Sequence, residues 1–298
     1  MGNIALKKAL DDYKTVYMPY RNFAERTRVE YLNDVEGLVE FLNRSGINQI
    51  KELGLPIIER YVAHLEQKGF ASLTRKRKVV AIRSFLSFLF QDGYIGTNIA
   101  KRVVLPFTES SLPHVLTKTE YDRIRSACAH DPRDRAIIEL LLQTGIKLSE
   151  LTRLTLDDLE FENRKESGEN NSGFIRILGS RGKKERIIPL NAKACLALKN
   201  YLDIRRESGS NILFLNRFSE PFGERGVQKM LTKYLSVASI IGASIHSLRH
   251  TFGVHHAANG ISLKIIQEVM GLKDTRSASI YLDLTKIVMS KELQEHAL

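Results

Sequence analysis

The sequence contains little cysteine and no long apolar run, and these absences narrow the class of protein. Cys128 and Cys195 are its two cysteines, and they stand far apart without a paired spacing. Neither a disulfide framework nor a cysteine-based zinc site is therefore predicted. The N-terminus has no secretory apolar segment, and no apolar run reaches the length of a membrane span. We expect a soluble, cytoplasmic protein without a membrane partner.

Acidic residues are also in the minority. The chain has 45 lysines and arginines against 34 aspartates and glutamates, which gives a formal charge of +11 and an isoelectric point near 9.6. This balance favours a polyanionic partner, most commonly nucleic acid, over the alternative of a basic surface without a ligand. At 298 residues the chain is long enough for two domains with separate cores.

The first hundred residues show helical periodicity and one dense run of positive charge. Apolar residues at helical spacing predict a helix over 72–90, and five cations without an acid fall in its first half. A charge run is often only a solvated helix face, but in a basic protein this one favours contact with the DNA backbone. The five cations are Arg75, Lys76, Arg77, Lys78 and Arg83.

The helical periodicity stops between residues 91 and 113, where glycine and proline recur. We therefore predict a helical domain over 1–104, a linker over 105–113 and a second domain over 114–298. In the second domain, two β-rich runs flank a very basic turn and predict a hairpin. Its strands are predicted over 174–178 and 186–190, among helices over 134–143, 192–206 and 224–236.

An anion site is predicted near the C-terminal end of the chain. If Ser247 caps a helix, His246 and Arg249 lie at its N-terminus, where backbone N–H groups and the helix dipole favour negative charge. Tyr281 follows at the far end of the same stretch. A cation, an imidazole and a tyrosine around one anion indicate phosphoryl transfer to a tyrosine hydroxyl. The helices of this stretch are predicted over 248–258 and 263–270, and glycine follows each of them.

Four segments in this order resemble the tyrosine site-specific recombinases, also called the phage-integrase family, and especially its Xer-like and transposon-resolvase members. The motif HxxR alone is weak, but four motifs at compatible separations are specific. Residues 72–100 also resemble the last helices of the SAM-like, core-binding domain of the family. The four segments are TGIKLSEL at 144–151, LGSRGKKERIIPL at 178–190, HSLRHTFG at 246–253 and GLKDTRSASIY at 271–281.

The resemblance implies a mainly α fold with a small antiparallel β-sheet, in the α+β class. A helical core-binding domain and a catalytic domain would form a C-shaped clamp around duplex DNA that carries inverted-repeat core sites. Four copies would act together on two such sites. The family reaction keeps its bond energy in a protein–DNA bond, so the resemblance implies no cofactor, metal or ATP.

The resemblance also implies roles for three residues. Tyr281 would attack the scissile phosphodiester, forming a 3′-phosphotyrosine and releasing a 5′-hydroxyl. Arg249 would hold the non-bridging oxygens of the phosphorane with its planar fork. His246 would donate a hydrogen bond to the same oxygens or assist proton transfer from Tyr281.

A lysine on the hairpin turn would protonate the leaving 5′ oxygen. The usual position of this lysine falls on Arg181, but the turn is one residue longer than the common form. Because arginine is a poor proton donor, Lys183 is the favoured general acid and Lys184 the next choice, while Arg181 is predicted to contact DNA.

Two positions depart from the family pattern. Lys147 stands where the family has its first catalytic arginine, and lysine lacks the planar fork. Leu272 stands where the family usually has histidine or tryptophan, and leucine donates no hydrogen bond. Three interpretations follow: this branch tolerates the changes, the sequence was altered to trap a complex, or the protein has drifted towards DNA binding alone. We expect a recombinase with weakened catalysis.

The C-terminal tail over 286–298 is weakly amphipathic. It could pack on its own domain, or dock into a neighbouring subunit and so link four subunits, which we favour. Two other functions are weighed against recombination. One is a type IB topoisomerase-like enzyme, and the other a site-specific DNA-binding protein without activity. The task itself (dimer resolution, cointegrate resolution, or integration and excision) stays open, although a simple resolution or inversion system is favoured.

Overall fold

The computed structural model describes residues 5–108, 112–162, 172–179 and 185–295, and the chain divides into two compact units. One unit comprises Met1–Ser111 and the other Leu112–Leu298. The described residues are mainly helical with one three-stranded antiparallel sheet, so the predicted fold class is confirmed. Within these residues, no helix is both long and apolar enough to cross a membrane.

The first unit is a helical bundle around an aromatic core. The side chain of Tyr13 packs against Phe85 and Phe88, with ring centres 5.2 and 5.4 Å apart. Both phenylalanines are fully buried on the helix that the apolar periodicity predicted, which spans Ser72–Gln91. The helices are α1 (Leu6–Asp12), continued by a π-helical segment (Tyr13–Tyr17) and α2 (Met18–Tyr20), then α3 (Glu25–Arg44), α4 (Leu55–Gln67) and α5 (Ser72–Gln91), with a 3₁₀ turn at Ile50–Glu52.

The five cations of α5 are not a row of solvated charges. Asp34 of α3 is only 1% exposed, and it pairs with both Arg77 and Lys78, whose Nζ lies 2.8 Å from Oδ1. A buried carboxylate needs such partners because burial of an unpaired charge is costly. Part of the positive charge is therefore neutralised inside the unit, and DNA contact by the run remains a prediction. Of the other three cations, Arg75 pairs with Glu66 over 2.6 Å, Lys76 donates to the hydroxyl of Thr108 over 3.2 Å, and Arg83 donates to the carbonyl of Ala100 over 3.0 Å.

Within its described residues, the second unit contains eight further α-helices, a 3₁₀ turn at Leu156–Asp158 and the sheet. Its main core lies between α7, α9, α10 and the inner face of the sheet. A smaller apolar cluster is formed by α11, α12 and α13. The helices are α6 (Lys118–Ala127), α7 (Pro132–Thr144), α8 (Leu148–Leu151), α9 (Ala192–Leu202), α10 (Glu224–Val237), α11 (Ile245–Ala258), α12 (Leu263–Met270) and α13 (Arg276–Glu295).

The sheet contains the predicted hairpin and one strand that the sequence did not reveal. Strands β2 (Gly173–Ile177) and β3 (Arg186–Leu190) pair antiparallel with Ile177 opposite Arg186. The additional strand, β1 (Leu159–Phe161), pairs with β2 and is only three residues long, too short for an alternating pattern. The predicted turn residues Arg181, Lys183 and Lys184 lie outside the described residues.

The predicted start of α11 is wrong by one turn. The helix is capped by Ser244 rather than Ser247, and the backbone amide of Ser244 donates to the Ser247 hydroxyl over 3.0 Å. Two serines three residues apart allow either to be the cap, and the structure uses the first. His246 therefore lies in the first turn of α11, while Arg249 lies one turn further in.

Candidate active site

Tyr281 is buried on the last described helix rather than held at the surface. Its side chain is 2% exposed and belongs to the small apolar cluster of α11, α12 and α13. The Tyr281 ring lies beside that of His250, with ring centres 5.9 Å apart. The hydroxyl of Thr285 donates to the carbonyl of Tyr281 over 2.7 Å. The nucleophile candidate is thus fixed against α11 by its own helix.

A glycine of α11 makes room for the tyrosine ring. A β-carbon placed on Gly253 would lie 2.6 Å from Cε1 and 2.8 Å from Cζ of Tyr281, closer than non-bonded atoms approach. The glycine at the end of the HSLRHTFG segment therefore allows the backbone of α11 to contact the ring directly.

Arg249 is buried and anchored by two backbone carbonyls. Its guanidinium donates to the carbonyl of Gly145, at the end of α7, and over 2.7 Å to that of Met270, the last residue of α12. Both helices end at a left-handed glycine, with φ of +58° at Gly145 and +60° at Gly271. Because a helix leaves its last carbonyls without an intrahelical partner, these two ends offer acceptors to a buried cation.

Two more cations gather at the end of α12. Arg186 of β3 donates from Nε to the carbonyl of Val269 over 2.7 Å, and Lys147 Nζ lies 3.4 Å from the carbonyl of Gly271. With Arg249 on Met270, three successive carbonyls each bind one cation. The negative end of the helix dipole favours this arrangement. We call this group of three carbonyls, 269–271, the carbonyl end of α12.

Glu150 joins two of these cations. Arg186 donates to both of its carboxylate oxygens, over 3.1 and 2.7 Å, and the backbone amide of Lys147 donates over 2.9 Å. Burial opposes ionisation of this carboxyl, but the bonds from Arg186 and from the Lys147 amide outweigh it, and the pKa of Glu150 is lowered. Neither Glu150 nor Arg186 was predicted from the sequence as a site residue. Their signal lay in the quoted TGIKLSEL and LGSRGKKERIIPL segments.

Burial sets the ionisation of the central residues. It raises the pKa of Tyr281, although the charge of Arg249 acts in the opposite direction, so the phenol is protonated at neutral pH. Burial also lowers the pKa of Arg249, while the neighbouring Tyr281 and Glu150 favour its charged form. A buried phenol must release its proton to attack phosphorus, and arginine cannot accept it.

The other predicted residues lie nearby but differ in exposure. His246 is exposed in the first turn of α11, one turn before His250. Leu272 follows the carbonyl end of α12 and packs, partly buried, on the apolar cluster that contains Tyr281. The structure therefore brings together Tyr281, Arg249, Lys147 and Leu272. Among the described residues, no cluster of His, Cys, Asp and Glu could hold a metal ion.

Comparisons with known proteins identify the family of the chain. The profile of the phage integrase family matches residues 114–287, and that of the N-terminal SAM-like domain of phage integrases matches residues 10–93. The chain therefore belongs to the phage integrase family of tyrosine recombinases, an enzyme class that cuts and rejoins DNA in site-specific recombination.

Within that family the chain is similar to the Xer recombinases. It is 32% identical over 295 residues to the tyrosine recombinase XerC of Pelotomaculum thermopropionicum, and the aligned residues cover 93% of each chain. It is 31% identical over 280 residues to the tyrosine recombinase XerD of Halalkalibacterium halodurans, and the aligned residues cover 90% of each chain.

Solved structures share the fold. A lambda integrase tetramer bound to a Holliday junction superposes with a TM-score of 0.76 at 17% identity, covering 94% of this chain and 78% of that one. The XerH recombinase bound to a palindromic difH substrate, in a post-cleavage complex, gives 0.75 at 19% identity, covering 95% and 83%. Since these identities are low, the likeness concerns the fold alone.

We predict that Gly253→Ala displaces Tyr281, the candidate nucleophile. The new methyl group would push the Tyr281 ring, and a displacement of about 1 Å can cost roughly 10²-fold in rate. The measurement is the rate at which the protein becomes covalently linked to cleaved DNA. Gly226→Ala in α10 is the matched control, because its β-carbon would lie 2.4 Å from the ring of Phe222, away from the site. Wild-type cleavage by Gly253→Ala would contradict the proposed packing role.

We also predict that Arg186→Lys destabilises the second unit by about 1.5–3 kcal/mol at pH 7, since lysine cannot keep the charged double hydrogen bond to Glu150. The lowered pKa of Glu150 contributes stability that is present above the ordinary glutamate pKa of about 4.3 and is lost as pH falls through the folded-state value. The difference from wild type should therefore shrink in acid.

Urea unfolding at neutral and acidic pH measures this difference. The matched control is Arg176→Lys on β2, whose pair with Glu185 is 3.0 Å long and half-exposed, so its loss should cost less than about 1 kcal/mol. Equal effects of the two substitutions on the free energy of unfolding at pH 7 would show that the Arg186–Glu150 pair stabilises the protein no more than an exposed pair.

Proposed function

We propose that the chain is a site-specific DNA recombinase that acts through a 3′-phosphotyrosyl intermediate. The observation that carries the proposal is the packing of the buried Tyr281 on α11, the helix that also holds the anchored Arg249. The proposed partner is duplex DNA with inverted-repeat core sites, which implies a cytoplasmic reaction. Residues 1–104 would bind the core site, with 105–113 as linker and 114–298 as the catalytic domain.

In the proposed reaction, the hydroxyl oxygen of Tyr281 attacks the scissile phosphorus. The bond from phosphorus to the 5′ oxygen breaks, and a lysine of the hairpin turn, Lys183 or Lys184, protonates that oxygen. The 5′-hydroxyl of a partner strand then attacks the phosphotyrosine and frees Tyr281. Because the phosphotyrosine conserves the energy of the phosphodiester, the proposal includes no nucleotide or other cofactor.

Arg249 is suited to hold the phosphorane. A guanidinium has five N–H groups, and its two bonds to backbone carbonyls leave three for phosphate oxygens. The same two bonds fix the plane of the fork, so that little reorganisation is needed when charge develops on the oxygens. His246, exposed one turn before, is proposed to donate to the same phosphate.

We call the side chains proposed to hold the phosphate the phosphate cradle. This cradle is weaker than the family pattern at two positions. Lys147 brings a point charge that already lies 3.4 Å from the carbonyl of Gly271 and 3.9 Å from Glu150. Leu272 brings no donor. Loss of one oxyanion donor typically costs about 10²–10³ in rate, so we propose a slow recombinase.

Assembly into a tetramer is proposed to run through the tail. One continuous helix, α13, carries both Tyr281 and the start of the tail. Leu284 and Thr285 are buried, and Val288 packs on the apolar cluster, so this part of α13 stays on its own subunit. We propose that the residues beyond 288 bind a neighbouring copy, linking four subunits on two DNA sites.

The proposal predicts a covalent complex with DNA. Nicked duplexes with a randomised core would trap the wild-type protein on cleaved strands, because the short fragment beyond the nick diffuses away. Adducts recovered under denaturing conditions and sequenced would give the recognised site. Tyr281→Phe should form none. If wild-type protein gives no more adduct than Tyr281→Phe, the phosphotyrosyl mechanism is wrong for this chain.

Restoration of the two departures should raise the rate. We expect Lys147→Arg with Leu272→His to cleave the selected duplex about 10²-fold faster in a single turnover, with unchanged DNA affinity. Each single variant is the control for the other. A double variant that binds the duplex but forms no adduct would favour a protein that only binds DNA.

A further inference from the structure

His250 has a buried polar atom that the site described so far does not use. The residue is half-buried on α11, directly after Arg249, and its ring plane is inclined by 51° to that of Tyr281. Its Nδ1 atom is buried and has no hydrogen-bond partner among the described residues. A buried polar atom without a partner costs about 1–3 kcal/mol, so its presence next to a nucleophile calls for a function.

The groups around His250 identify what it can bind. On its own helix, His246 and Arg249 act on it electrostatically and lower its pKa, and from α13 the ring of Tyr281 lies beside it. Among these, the phenol of Tyr281 is the group that must lose a proton in the reaction. The structure has no hydrogen bond between these two described side chains, but with ring centres 5.9 Å apart one can form, directly or through one water, when substrate binds.

The protonation state of His250 also fits an acceptor. Burial lowers its pKa, and the nearby His246 and Arg249 lower it further, so the imidazole is neutral at pH 7. Two other residues near Tyr281 are excluded as the proton acceptor, because Leu272 has no polar group and Arg249 cannot accept a proton.

We propose that His250 accepts the proton of the Tyr281 hydroxyl as its oxygen attacks phosphorus, an inference that rests on the proposed function. The O–H bond breaks, an N–H bond forms at Nδ1, and the oxygen electron pair forms the new bond to phosphorus. The leaving 5′ oxygen keeps the electron pair of its former bond and takes a proton from a different group. In rejoining, the imidazolium returns its proton to the tyrosine oxygen.

The first test replaces the imidazole by groups that cannot take up a proton. His250→Asn keeps a polar atom near the Nδ1 position, and we expect its single-turnover cleavage of the selected duplex to fall at least about 10²-fold. DNA affinity should stay as in wild type. His255→Gln, an exposed histidine of the same helix, is the matched control and should cleave normally. Imidazole added to the buffer should partly rescue His250→Ala.

A modified substrate distinguishes proton acceptance from proton donation. When sulfur replaces the bridging 5′ oxygen, the leaving thiolate needs no proton, because a thiol has a pKa of about 8.5. This substrate should restore cleavage to a variant that lacks the hairpin general acid, such as Lys183→Ala or Lys184→Ala, but not to His250→Asn. The rise of kcat/KM with pH should lie below about pH 6.5 in wild type and be absent in His250→Asn.

Three results would overturn this role. They are wild-type cleavage by His250→Asn, recovery of that variant on the sulfur substrate, and a parallel loss of DNA affinity, which would indicate a structural role. If instead wild-type protein forms no adduct with any duplex while Tyr281→Phe binds DNA equally well, the proposed function fails as a whole. The two failures are therefore distinguishable.

Discussion

The carbonyl end of α12 is the constraint on which the site depends. Because a helix cannot satisfy its last carbonyls internally, three successive acceptors bind three cations: Arg186 from β3, Arg249 from α11 and Lys147 before α8. The hairpin and two separate helices are thereby tied to one point. Gly271 ends α12 there, and a β-carbon on it would lie 2.9 Å from the guanidinium of Arg186. The position of the proposed phosphate cradle thus depends on where one short helix stops.

The packing that fixes Tyr281, the proposed nucleophile, also opposes the ionisation that the proposed attack requires. Contact with Gly253 and burial in the apolar cluster hold the ring in one place, but burial also raises the pKa of its hydroxyl. Arg249 offsets part of this rise and cannot take the proton. The proposed chemistry therefore needs a neutral base at the ring, and among the described residues the half-buried His250 offers a neighbouring buried nitrogen without a hydrogen-bond partner. Gly253 of α11 allows the close placement of the Tyr281 ring, and His250 of the same helix is the proposed acceptor of its proton.

Part of the positive charge of the first unit is neutralised by ion pairs within its own fold. The formal charge of +11 predicts a polyanionic partner, yet Arg77 and Lys78 share the buried Asp34, and Arg75 pairs with Glu66. Such pairs orient long side chains that would otherwise move freely, and they reduce the charge available to a phosphate backbone. If α5 binds DNA, it does so with preoriented cations rather than with a diffuse basic surface.

Local sequence determined most of the helices, the hairpin and the candidate nucleophile, because periodicity, glycine stops and family motifs all lie within short stretches. It did not determine the start of α11, where two serines compete as caps, or the three-residue strand β1. The tertiary structure alone decided the partners of Arg249, which bonds Gly145 104 residues away, and brought Glu150 to Arg186 and His250 to Tyr281. The physical reason is that hydrogen bonds to helix-end carbonyls and contacts between rings carry no periodic signal. They arise only when separate elements pack together.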